Sequence, residues 1–89
     1  MRAVITVIGK DKIGIIAAIS AVLAECKVNI LDISQTIMQD MFTMIMLVDT
    51  SGMAINFSEL VDKVENKGRE IGVSVNVQHE EIFDSMHRI

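Results

Sequence analysis

Two short runs constrain this chain most, because neither has a side that water could wet. Ala3-Val4-Ile5-Thr6-Val7-Ile8 and Phe42-Thr43-Met44-Ile45-Met46-Leu47-Val48 are apolar on both alternating sets. That is the pattern of strands at the centre of a sheet, here over residues 2–8 and 42–48. Each is followed by a break and then by helical spacing. Ile15, Ile19, Val22 and Cys26, with Ile16 and Leu23, recur three and four apart and form one stripe of a helix of about three turns. After Thr50-Ser51-Gly52, Asn56 and Glu59 have the spacing of a capping box ahead of Phe57, Leu60, Val61, Val64 and Ile71. Two further strands alternate as edges do. In residues 28–38, Leu31, Ile33 and Ile37 fall on one set against Asp32, Ser34 and Thr36. In the last strand Val73, Val75 and Val77 oppose Ser74, Asn76 and Gln78. Gln39-Asp40-Met41 is the expected hairpin turn, although no glycine marks it.

The order strand, helix, strand, strand, helix, strand, with right-handed crossovers, predicts an α+β fold. Specifically, it is a ferredoxin-like βαββαβ sandwich: a four-stranded antiparallel sheet of order 4-1-3-2 with two helices on one face. That order puts the first and third strands in the middle, where their two-sided apolar pattern requires them. A single domain over residues 1–80 is expected, followed by a helical tail at 81–89 in which Ile82, Phe83, Met86 and Ile89 share one helical face. Such a short helix is unstable alone in water, so it should dock on the domain or on a second subunit.

Composition narrows the class. With 89 residues, 51% hydrophobic and 22% charged, the chain has one core and is unlike a disordered segment. A net charge of -4 gives no electrostatic footprint for nucleic acid or an anionic membrane. Charges interrupt every apolar run before it could span a bilayer. The lone Cys26 and the lack of a signal-peptide pattern lead us to expect a cytoplasmic protein.

This topology hosts unrelated functions, so the function must be argued from residues. An RNA-binding sheet would need aromatics on the central strands, and only Phe42 is present. A metal carrier would need paired thiolates in the first loop. An acylphosphatase-like hydrolase would need an arginine fork there, whereas Lys10 and Lys12 are point charges. That hydrolase remains one alternative, and a pure protein-interaction module without ligand is another. The conspicuous place is the first strand-helix junction, GKDKIG at residues 9–14, where unpaired amides at a helix start can hold an anion. The stretch VITVIGKDKIGIIAAISAVLAECKVNILDISQT, with Gly9, Asp11 and Gly14 spaced as Gly-x-Asp-x-x-Gly and with Val28-Asn29-Ile30 opening the second strand, resembles ACT domains. Its likeness is to short stand-alone members and to the modules of the glycine cleavage system repressor. One departure is Ile13, where many members have proline.

The resemblance implies an amino-acid-binding regulatory module, not an enzyme, acting on a separate effector protein and working as a homodimer with its ligand near the interface. The residue chemistry agrees. Backbone amides of Lys12, Ile13, Gly14 and Ile15 suit a ligand carboxylate, Asp11 suits its ammonium, and Gly9 and Gly14 shape the turn. Asn29 offers both a donor and an acceptor. The same residues have a plainer reading, in which Asp11 caps the helix and the glycines only turn the chain. No cofactor or metal is called for: Met38, Met41, Met44 and Met46 suit core or interface filling, and His79 and His87 lack a spaced second ligand. Because both faces of the central strands are apolar, one face should remain open to a second copy. The resemblance implies pairing either side by side through edge elements or sheet against sheet; composition does not choose, although the apolar-face argument favours sheet against sheet with the tail as partial cover.

Overall fold

The computed structural model describes residues 1–10 and 13–87, the side chains of 85–87 excepted. Strand β1 (Arg2–Lys10) leads to helix α1 (Ile15–Glu25), strands β2 (Asn29–Met38) and β3 (Met41–Asp49), helix α2 (Phe57–Ile71), strand β4 (Ser74–His79) and helix α3 (Glu80–His87). The sheet order is β2-β3-β1-β4, with every pairing antiparallel. This is the ferredoxin-like arrangement expected from the sequence, with the two doubly apolar strands in the centre.

Registers show which set faces the helices. Ala3, Ile5 and Val7 lie opposite Val48, Met46 and Met44, and all six are fully buried. Ile19 and Leu23 of α1 and Leu60 and Val64 of α2 close the core over them. The other set, Val4, Thr6 and Ile8 beside Leu47, Ile45 and Thr43, points to the opposite face. There Ile8 and Ile45 stay exposed while Val4 is buried. Helix α3 begins directly at the end of β4 and packs on β1 and β4, so the described part of the tail docks on its own domain; Ile89 and the Met86 side chain lie outside the described residues. Arg2 donates to Glu80 at 2.5 Å, which ties the first residue of α3 to the start of β1.

Helix α2 starts as the sequence predicts. The Asn56 side chain accepts from the Glu59 amide at 2.9 Å, and the Glu59 side chain reaches back to the Asn56 amide. Three local details differ from expectation. Met41 belongs to β3, and the hairpin turns with Gln39 in the left-handed region (φ 58), a conformation that glycine would adopt more readily. A bulge between Ile30 and Asp32 leaves Leu31 out of register and exposed. Ile30 therefore joins Ile33 on the core side, where strict alternation would have placed Leu31. Finally, Ile16 lies off the buried stripe of α1, on its exposed side. No helix among the described residues is long and apolar enough to cross a membrane.

Candidate cleft between the first helix and the edge strand

Helix α1 opens without a side-chain cap. Its N-cap is Gly14, held at φ 87 and ψ 3, and no acidic residue occupies the first turn. The carbonyl of Gly14 accepts from Ala18 at 2.9 Å, which begins the helical ladder. The amides of Ile15, Ile16 and Ala17 precede that ladder and have no acceptor among the described residues. Their donors and the helix dipole make this end weakly positive. The same end forms a cleft of about 620 Å³ lined by Gly14, Ile15, Ile16, Ala17 and Ser20 of α1, Gln35 and Ile37 of β2, and Phe42 of β3. It exists because β2 is an edge strand whose distal half runs past the flank of α1, so Gln35 and Ile37 share the core-side set yet remain exposed.

Each residue expected at the site has a place. Gly9 is in β1 opposite Phe42, and a Cβ there would stand 2.6 Å from Val73 Cγ1. Close packing against Val73 is enough by itself to require glycine there. Gly14 is different. An added Cβ would meet nothing within 4 Å, so the positive φ alone demands glycine, and the space beside it is open. Ile15 is buried in the core and can offer only its amide, whereas Ile13 is fully exposed. Asp11 and Lys12 lie outside the described residues. The N-cap position itself belongs to Gly14.

Asn29 is the misplaced member. It pairs with Asp49, which in turn pairs with Arg2, whereas the loop follows Lys10 at the other end of β1. Eight strand residues, about 26 Å, separate those ends. Within one chain Asn29 cannot join the loop. Conversely, Gln35, Ser20, Ile37 and Phe42 enter the cleft unforeseen. One signal was available: Gln35 is the polar interruption in the apolar set Ile33 and Ile37.

The opposite end of the sheet holds a second hollow of about 680 Å³, lined by Met1, Arg2, Asp49, Ser51, His79, Glu80, Glu81 and Ile82. Its polar groups largely satisfy one another. The Met1 amine donates to Ser51 Oγ at 2.9 Å, Ser51 donates to Asp49 through both hydroxyl and amide, and Arg2 pairs with Glu80. The Ser51 hydroxyl, then its amide, with smaller help from the Met1 amine and Arg2, holds the Asp49 carboxyl below its usual value. His79 stacks on Phe57 with ring centroids 3.9 Å apart, and its buried Nδ1 has no hydrogen-bond partner among the described residues. Although this hollow is slightly the larger, its two cations already face carboxylates, Met1 on Asp49 and Arg2 on Glu80, so the cleft at α1 is the better candidate for an anionic ligand. No group of three or more metal-ligating side chains occurs among the described residues.

Comparison with known proteins agrees with this architecture. The family model described as "ACT domain" matches residues 2–78. A UPF0237 protein of Clostridium acetobutylicum is 57% identical over 89 residues, the whole of both chains. Among solved structures, an ACT domain protein from Streptococcus pneumoniae is 42% identical, covers 98% of each chain and superposes with a TM-score of 0.81. A putative glycine cleavage system transcriptional repressor, 21% identical with a TM-score of 0.65, shares the fold over 86% of this chain and 44% of its own.

Proposed function

This chain belongs to the ACT domain family, and we propose that it is a regulatory module that binds a free amino acid, or a similar small carboxylate, in the cleft between α1 and β2. The observation that carries the reading is the uncapped start of α1 opening into a preformed hollow. A ligand carboxylate there accepts from the amides of Ile15, Ile16 and Ala17, and gains from the helix dipole. Asp11 is the acidic partner for the ammonium. The module works without a catalytic step, in the cytoplasm, and acts on a separate effector.

A second copy completes the reading. Strand β2 is an edge of ten residues with no proline and a single charged residue, Asp32, so its outer rim is free to pair. Antiparallel pairing of β2 with its own copy sets the Asn29 end of one strand beside the Met38 end of the other. Asn29 of the second copy then reaches the mouth of the first copy's cleft, the position that a single chain denies it. Edge pairing is favoured over the sheet-against-sheet geometry because α3 already packs on β1 and β4 and Val4 of the open face is buried.

The test is a thermal-shift screen of the twenty amino acids, with sedimentation equilibrium on the same protein. A true ligand at a hundred times its dissociation constant stabilises by about 2.7 kcal/mol. Ala17→Leu fills the cleft from an exposed helical position and should remove the shift. A flat response to all twenty, or an undiminished shift in the variant, overturns the site. A monomeric mass at micromolar concentration overturns the shared interface.

A further inference from the structure

The cleft is chemically uneven, and the unevenness specifies what it can accept. Its helix-start end offers amides. One helical turn on, about 5.4 Å along the axis, the lining becomes Ser20 from α1 and Gln35 from β2. Between these ends the walls are apolar: Ile16 and Ala17 on the helix, Ile37 and Phe42 on the sheet. Gln35 faces Met44 across the ladder, on the side that the buried β3 residues occupy, so a polar residue there departs from the pattern of its strand. Neither the Ser20 hydroxyl nor the Gln35 carboxamide is hydrogen-bonded among the described residues, which leaves both free to donate and to accept. No charged side chain stands among the described lining residues.

We infer that the cleft selects an amino acid with a short apolar stem ending in an uncharged hydrogen-bonding group, a carboxamide foremost, which Ser20 and Gln35 read. This rests on the reading of the cleft as a carboxylate site. An acidic or basic side chain would leave water for apolar walls, and none of the described lining residues offers it a counter-charge. A purely aliphatic one would strip water from Ser20 and Gln35 and give nothing back. A carboxamide offers donors and an acceptor together, and a site built to bond such a group discriminates against analogues that lack it.

Isothermal titration calorimetry with glutamine, asparagine, leucine and glutamate as probes decides the matter, on the parent protein and on Ser20→Ala and Gln35→Leu. Gln35 is exposed on an edge strand, so the folded state survives its replacement; a thermal melt of each variant verifies this. The expected result is that a carboxamide amino acid binds the parent best. It should lose about tenfold in affinity in either variant, the equivalent of one net hydrogen bond. Leucine should gain in Gln35→Leu. If leucine or glutamate binds the parent more tightly than either carboxamide, or if both variants keep full carboxamide affinity, the selectivity is overturned while the cleft stands as an amino-acid site. If none of the four binds and the wider screen is flat, the site itself falls.

Discussion

The two long helices of this domain begin in opposite ways, at opposite ends of the sheet. Helix α2 starts near His79 and is closed by its own side chains: Asn56 and Glu59 satisfy each other's amides, and Glu59 adds an acid to the first turn. Helix α1 starts beside the end of β1 with a left-handed glycine, no side-chain cap and no acid. A helix start is costly to leave open, since each unpaired amide must find water or a ligand. The contrast shows where the chain has given its amides internal partners and where it has not. The same division holds for the two hollows: the one at the Asp49 end is laced by internal hydrogen bonds, and the one at Gly14 has unspent donors.

Three substitutions at the closed end sharpen that comparison. Asn56→Ala removes the cap and should lower stability by about 1 kcal/mol, measured by urea denaturation. A negligible loss would mean that the closed start of α2 is no better satisfied than the open start of α1. His79→Phe keeps the stack on Phe57 and deletes the buried Nδ1 that lacks a partner among the described residues, so it should raise stability by up to about 1 kcal/mol. A fall instead would show that the nitrogen is held by a bound group, making this end a second binding site.

The smallest effect concerns Ser51. Because its hydroxyl holds the Asp49 carboxyl low, the ionised form is favoured in the folded state. That contribution is present above the unfolded carboxylate pKa, about 4, and is lost as pH falls through the lower folded value. Ser51→Ala should therefore melt slightly below the parent at neutral pH, with the gap closing in acid. A gap that is constant with pH would assign the Ser51 effect to packing.

Much of this architecture was legible because its signals are local and periodic. The doubly apolar runs identified β1 and β3 as central, and the Asn56–Glu59 spacing located the start of α2, because both patterns depend on neighbours a few residues away. The docking of the tail followed from the instability of an isolated short helix. What was misjudged depended on distant neighbours. The bulge at Leu31 is set by the pairing of β2 with β3, and it moves Ile30 to the core side without a trace in composition. Gln39 takes a positive φ that the flanking strands impose. The outward turn of Ile16 depends on where the edge of the sheet stops.

The site divides along the same line. The sequence by itself determined that a glycine-bearing loop hands a strand to a helix start with amides to offer; that Gly14 is the left-handed N-cap, with no side-chain cap, came from the structure. Asn29 was misassigned, although the expected topology already fixes its end of the sheet. A crossover helix returns the chain to the end at which β1 began, so the start of β2 must lie a full strand length from the loop. The sequence could not bring Ser20 and Gln35, fifteen positions apart, onto one hollow. That meeting was decided only by the tertiary structure, because an edge strand outflanks the helix above it when two helices cover four strands.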